Sequence, residues 1–130
     1  MNAARSAHCN CGAVRITTRG EPIRVAICHC AVCRREGGGA FAVIPVWHAE
    51  DVTIAGETAS WTATTDSRHI CSICGSTMFS IAPGSGEIEM RLGAFDPAPT
   101  DLVPRCEIWT VRREAWLPVL AVEQHEGNRE

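Results

Sequence analysis

Seven of the eight cysteines in this 130-residue chain fall in three clusters: Cys9-x-Cys11, Cys28-x-Cys30-x-x-Cys33 and Cys71-x-x-Cys74. Only Cys106 stands alone. Thiols this crowded bond to one another, oxidise, or share a metal. Cysteines one residue apart are badly placed to bond each other, yet on an extended strand residues i and i+2 share a face. A metal with sulfur bonds of about 2.3 Å can gather such a pair, and C-x-x-C offers the same from a tight turn. Gly75, directly after Cys74, suits the left-handed backbone that points amides at the sulfurs. Soft thiolates without histidine partners favour zinc, with an iron–sulfur cluster as the rival. His29 and His69 sit beside cysteines but are read as non-ligands, because the thiolates already suffice.

The N-terminal stretch MNAARSAHCNCG has no apolar core of the signal-peptide kind. No run approaches the length of a membrane span. The expected address is cytoplasmic, where thiols stay reduced, so a disulfide framework is disfavoured. The formal net charge is -3 and every basic residue is arginine. That balance disfavours a broad phosphate-binding surface, and nucleic acid is not an expected partner.

The thiols divide between two metal ions in two ways, one of which also draws in Cys106. Cys9, Cys11, Cys71 and Cys74 can form a closed site, leaving Cys28, Cys30 and Cys33 with a zinc whose fourth corner is open. Alternatively, Cys30, Cys33, Cys71 and Cys74 close one site, with Cys9, Cys11, Cys28 and Cys106 in another. Spacing does not choose between them. The difference matters, because closed zinc sites are structural and open ones can bind a substrate. A zinc with three thiolates carries a net negative charge and is a weak Lewis acid. It suits a fourth thiolate or a hydroxide better than a carbonyl, so an incoming thiol is the natural guest.

The rest of the chain reads as short strands: 14–16, 23–27, 41–47, 51–56, 60–65, 76–81, 87–92 and 106–111. Pro83-Gly84-Ser85-Gly86 predicts a hairpin turn, and 96–104, with three prolines, a loop. Glycine and proline punctuate the chain too often for long helices. The expectation is a mainly β, zinc-stapled single domain of short antiparallel strands over residues 1–122, with 123–130 as a disordered tail. Trp47, Trp61, Trp109 and Trp116 read as core residues or subsite walls. Gly37–Gly39 read as a tight turn. Arg34 and Arg35 either pair with local acidic groups or face an anionic ligand above the open zinc. His48 and Asp96 are the candidate general acid and base.

The residues also resemble a known family. Cys9-x-Cys11-Gly12-Ala13-Val14-Arg15, the CHC-x-x-CR run at 28–34, Ala40-Phe41, and R-x-x-C-x-x-CGS at 68–76 are similar to the glutathione-dependent formaldehyde-activating (Gfa) enzyme and centromere protein V-type family. Leu92-Gly93-Ala94-Phe95-Asp96, Trp109 and Trp116-Leu117 extend the likeness over residues 9 to 117. The resemblance implies a β-tent fold with two zinc ions per chain. It assigns Cys9, Cys11, Cys71 and Cys74 to a structural site and Cys28, Cys30 and Cys33 to a catalytic one. It implies a carbon–sulfur lyase joining a glutathione-like thiol to a small aldehyde, with Arg34 and Arg35 as candidate ligand-binding residues. The alternative expectation is a non-catalytic zinc module, either a thiol carrier or an interaction domain. Cys106 stands where the family commonly has histidine.

Overall fold

The computed structural model describes residues 3–129. Alternation sets the first sheet. In β2 (Arg15–Arg19) Ile16 and Thr18 point inward while their neighbours face solvent. β1 (Ala4–His8) lies antiparallel beside it with Ala7 opposite Ile16. β5 (Val52–Ala55) flanks the other side of β2, and β10 (Phe95–Asp96) closes the order β10-β1-β2-β5.

The second sheet has eight strands. It contains β3 (Arg24–Cys28), β4 (Ala42–His48), β6 (Thr58–Ala63), β7 (Asp66–Cys71), β8 (Thr77–Ile81), β9 (Glu87–Met90), β11 (Cys106–Ile108) and β12 (Glu123–Gln124). Their order is β12-β11-β3-β4-β9-β8-β7-β6. β3 is buried almost throughout, as a central strand covered on both sides must be. Pro45 is tolerated inside β4 because pairing with β9 begins only at Val46. The predicted turn at 83–86 joins β8 and β9, which pair antiparallel.

The mainly β expectation therefore holds, with two differences of detail. β11 runs parallel to both β3 and β12, so the strands are not all antiparallel. Among the described residues one short α-helix, α1 (Ala31–Gly37), and three single-turn 3-10 helices interrupt the strands. Cys30 caps its start and left-handed Gly38 ends it, its amide bonding Arg34 O at 2.9 Å. The triple glycine is thus a helix stop. The segment expected as a disordered tail contributes β12, and His125 N bonds Glu107 O at 2.9 Å. Strand pairing at that edge supplies the hydrogen bonds that its polar sequence would otherwise make with water.

The larger core cluster includes Val14, Ile16, Trp47, Met78 and Met90, and it takes in Cys9 and Cys71. A smaller one holds Cys28 and Cys33 with Ile44 and Val46. Each cysteine group is therefore rooted in its own apolar cluster. Among the described residues no helix is long and apolar enough to cross a membrane.

Candidate metal centres

The first group assembles where β1 and β7 end. Cys9 follows β1, and the chain reverses there through Gly12 N to Cys9 O at 3.1 Å. Cys71 ends β7 and starts a similar knuckle, with Gly75 N to Cys71 O at 3.0 Å and Gly75 at φ +78°. Asn10 N donates to Ser76 Oγ at 3.0 Å and joins the two knuckles. The sulfurs of Cys9, Cys11, Cys71 and Cys74 lie within 4.8 Å of one another. Backbone amides face them: Val14 N is 3.2 Å from Cys9 Sγ, and Ile73 N is 3.4 Å from Cys71 Sγ. The hydroxyl and amide of Ser76 pull the Cys74 thiol down to about 5.

These distances exclude disulfides and fit a tetrahedral ion. Cys9 Sγ to Cys11 Sγ is 3.6 Å and Cys11 Sγ to Cys71 Sγ is 3.7 Å. A disulfide needs about 2.05 Å. Four sulfurs around a zinc with 2.3 Å bonds stand roughly 3.8 Å apart.

The second group forms around the start of α1. Cys28 is the last residue of β3, held opposite Ala42 of β4 and Ile108 of β11. Cys30 is the helix cap, and its sulfur accepts the Cys33 amide at 3.3 Å. One turn then brings Cys33 back beside Cys28 and Cys30, with all three sulfurs within 4.8 Å. Hydrogen bonds from Cys28 and Cys33 draw the Cys30 thiol far below its ordinary value. Among the described residues no further His, Cys, Asp or Glu joins the three. His29 lies between two of these cysteines in sequence, but its Nε2 is 2.8 Å from Glu107 Oε1. The donor set could hold an ion on three sides.

The fold thus gathers four cysteines in one place and three in another, and Cys106 is buried on β11 outside both groups. The rival partition, with Cys30 and Cys33 beside Cys71 and Cys74, is not what the strands assemble.

Comparison with known proteins adds the family. The model of the glutathione-dependent formaldehyde-activating enzyme family matches residues 4–112. The chain belongs to this family. No curated protein sequence matches it. Among solved structures, the crystal structure of a Rhodobacter sphaeroides protein is similar, with a TM-score of 0.58 and 21% identity. The match covers 70% of this chain and 87% of that one, and what it shows is a shared fold.

In this family member a cavity of about 640 Å³ lies between the two cysteine groups. Asn10, Gly75 and Ser76 from the four-cysteine side and Cys33, Glu36 and Arg91 from the three-cysteine side share its wall. Its size is that of a small-molecule site. Glu36 Oε1 accepts from Arg68 Nη1 at 3.1 Å and from Arg91 Nη2 at 2.7 Å, and all three side chains are buried.

The residues singled out for ligand binding stand elsewhere. Arg34 bonds Ala40 O and Arg112 O at 3.2 and 3.3 Å and Glu114 Oε2 at 2.5 Å, tying α1 to the 110–114 segment. Arg35 is exposed. His48 ends β4 in solvent, and Asp96 pairs with His8 at 2.6 Å, both half-exposed. Of the tryptophans only Trp47 is deep core, its indole N–H donating to Gly20 O at 3.0 Å. Trp61 and Trp116 are exposed. Reading the sequence missed Glu36, Arg91 and Glu107, and it met Arg68 only as the first residue of the R-x-x-C-x-x-CGS motif, without a role. The one available signal was a charged residue amid apolar neighbours at Arg91 and Glu107.

Proposed function

We propose that this chain is a zinc-dependent carbon–sulfur lyase of the Gfa type, joining a glutathione-like thiol to formaldehyde or another small aldehyde. Cys9, Cys11, Cys71 and Cys74 would hold a structural zinc. Cys28, Cys30 and Cys33 would hold the second. The observation that carries the reading is the inequality of the two groups: one offers four sulfurs, the other three, with Cys33 on the wall of the ≈ 640 Å³ cavity. Zinc bound by the three cysteines would supply an open corner at which a thiol is held as its thiolate at neutral pH.

The chain's own part is placement. The β3 end and the α1 cap fix three sulfurs before any ligand arrives, which removes an ordering cost from binding. The cavity admits the rest of the thiol compound and brings the aldehyde close, so that a bimolecular addition proceeds from a bound pair. In the addition a sulfur–carbon bond forms and the carbonyl π bond opens. The thiol proton ends on the new hydroxyl, and nothing is oxidised.

The test follows glutathione and formaldehyde by NMR at equilibrium exchange, with zinc-loaded protein. Wild type should speed formation of the S-hydroxymethyl adduct, and Cys30→Ser should not. Thiol binding without acceleration would replace the lyase by the thiol-carrier reading. No binding and no acceleration would remove both.

A further inference from the structure

Two arginines share one carboxylate in the apolar region beside Cys33. Arg68 comes from β7 and Arg91 from the residue after β9, and Glu36 stands one helical turn beyond Cys33 on α1. The three side chains are 9%, 10% and 5% exposed. Glu36 Oε2, Arg68 Nε and Arg91 Nε are buried without partners among the described residues. The group therefore carries one surplus positive charge away from water. Burying unmatched charge is costly, and Glu89 is connected to Arg91 through Ser80 Oγ, which lies 3.4 Å from Arg91 Nη2 and donates to Glu89 Oε1 at 3.0 Å. The compensating charge must lie close by.

Cys33 lies there. It shares the cavity wall with Glu36 and Arg91. Three thiolates around a divalent ion leave one negative charge, equal and opposite to the surplus. The four-cysteine group has a different solution, since Cys11 and Cys74 are exposed to water.

We propose that Arg68, Glu36 and Arg91 form a positioning triad whose surplus charge balances the three-cysteine centre and admits an anionic guest thiol to it. This rests on the reading of Cys28, Cys30 and Cys33 as an open thiol-binding centre. The triad adjusts the local charge, and toward a thiol as small as 2-mercaptoethanol its members act through the cysteines.

Sign separates this role from a merely structural one. Arg68→Met and Arg91→Met each remove a positive charge, whereas Glu36→Gln keeps an oxygen acceptor for both arginines and removes the negative charge between them, raising the surplus by one. The experiment loads the full-length chain with cobalt(II) and titrates 2-mercaptoethanol, a thiol with no other charge, following the visible sulfur-to-cobalt bands. Either methionine variant should weaken binding about tenfold, and Glu36→Gln should tighten it by about as much, as expected for one charge within several ångströms. Should the methionine variants fail to fold, Glu36→Gln decides alone: tighter binding supports the triad, unchanged or weaker binding overturns it. Variants that all weaken binding would mark a structural network and overturn it as well. No response in wild type would remove the open-centre reading instead. Metal retention then tests the triad: under chelator competition Arg68→Met should lose one ion sooner than wild type, and equal retention would overturn the charge-balancing role.

Discussion

His29 Nε2 lies 2.8 Å from Glu107 Oε1, and the two side chains are 1% and 3% exposed. The pair fastens the end of β3 to β11 immediately beside Cys28 and Cys30, and the peptide of His29 makes the same connection through Ile108 O at 3.1 Å. Glu107 also accepts Leu120 N at 3.1 Å and Gln124 Nε2 at 2.9 Å. One carboxylate thus organises a strand, a loop and β12.

Removing it should be costly. Glu107→Ala leaves buried His29 and the part-buried Leu120 and Gln124 donors unpaired, and a loss of about 3 kcal/mol is expected in urea unfolding near neutral pH. Burial raises the Glu107 carboxyl, but hydrogen bonds from Gln124, His29 and Leu120 lower it more, from 4.5 to about 2. A depressed acid stabilises the fold fully above its ordinary value and loses that contribution as pH falls through its folded value. The gap between wild type and Glu107→Gln should therefore narrow between pH 4.5 and about 2. A gap independent of pH across that window would mean that the carboxylate charge contributes nothing.

Metal content comes next. Two groups of sulfurs, each within 4.8 Å, predict close to two zinc ions per chain after anaerobic purification. Elemental analysis measures this directly. Iron accompanied by visible charge-transfer absorption would replace zinc with a cluster.

Much of this was legible in the sequence, and the limits have physical causes. Spacings of i+2 and i+3 bring sulfurs together locally, so the clusters announced themselves. Which clusters meet depends on where β1 and β7 end, and both strands were overlooked. β1 is Ala-Arg-Ser-Ala-His, with one buried residue, and β7 is Asp-Ser-Arg-His-Ile-Cys, whose arginine is buried against the usual rule. Strand-like runs of apolar and β-branched residues marked β2, β3, β4, β5, β6, β8, β9 and β11. α1 was hidden by its own length, since seven residues that run straight into the glycines at 37–39 carry no helical period. The Glu36 triad spans partners 32 and 55 residues apart, a relationship that only the fold creates.

A backbone contact supports the four-cysteine group. Gly56 has φ +100°, and a Cβ built on it would stand 2.0 Å from Ala13 O and 2.9 Å from Val14 Cα. The Val14 amide in turn faces Cys9 Sγ. Gly56→Ala should therefore cost about 2–4 kcal/mol and loosen metal at that centre, because backbone must move. Gly84 is the control: its φ is +74° but nothing lies within 4 Å, so Gly84→Ala should cost only about 1 kcal/mol. Thermal melts with and without chelator distinguish the two. Equal penalties would mean that the crowding at Ala13 relaxes freely.

The two cysteine groups should fail differently when a sulfur is lost. Cys71 is 1% exposed and belongs to the larger core, beside Val14, Met78 and Phe79. An ion there closes two knuckles drawn from distant parts of the chain, so its binding energy is folding energy. Cys30 is only half-buried, and β3 just before it is held independently by β4 and β11. Cys71→Ser should therefore yield protein that is insoluble or lacks cooperative melting. Cys30→Ser should melt cooperatively within a few degrees of wild type while carrying about one zinc rather than two. Circular dichroism and elemental analysis on the same samples read both. If Cys30→Ser unfolds as completely as Cys71→Ser, both ions are structural and the three-cysteine centre is not an open site. If Cys71→Ser folds normally and loses one ion, the four-cysteine centre is dispensable, and the core around Val14 and Met78 suffices without it.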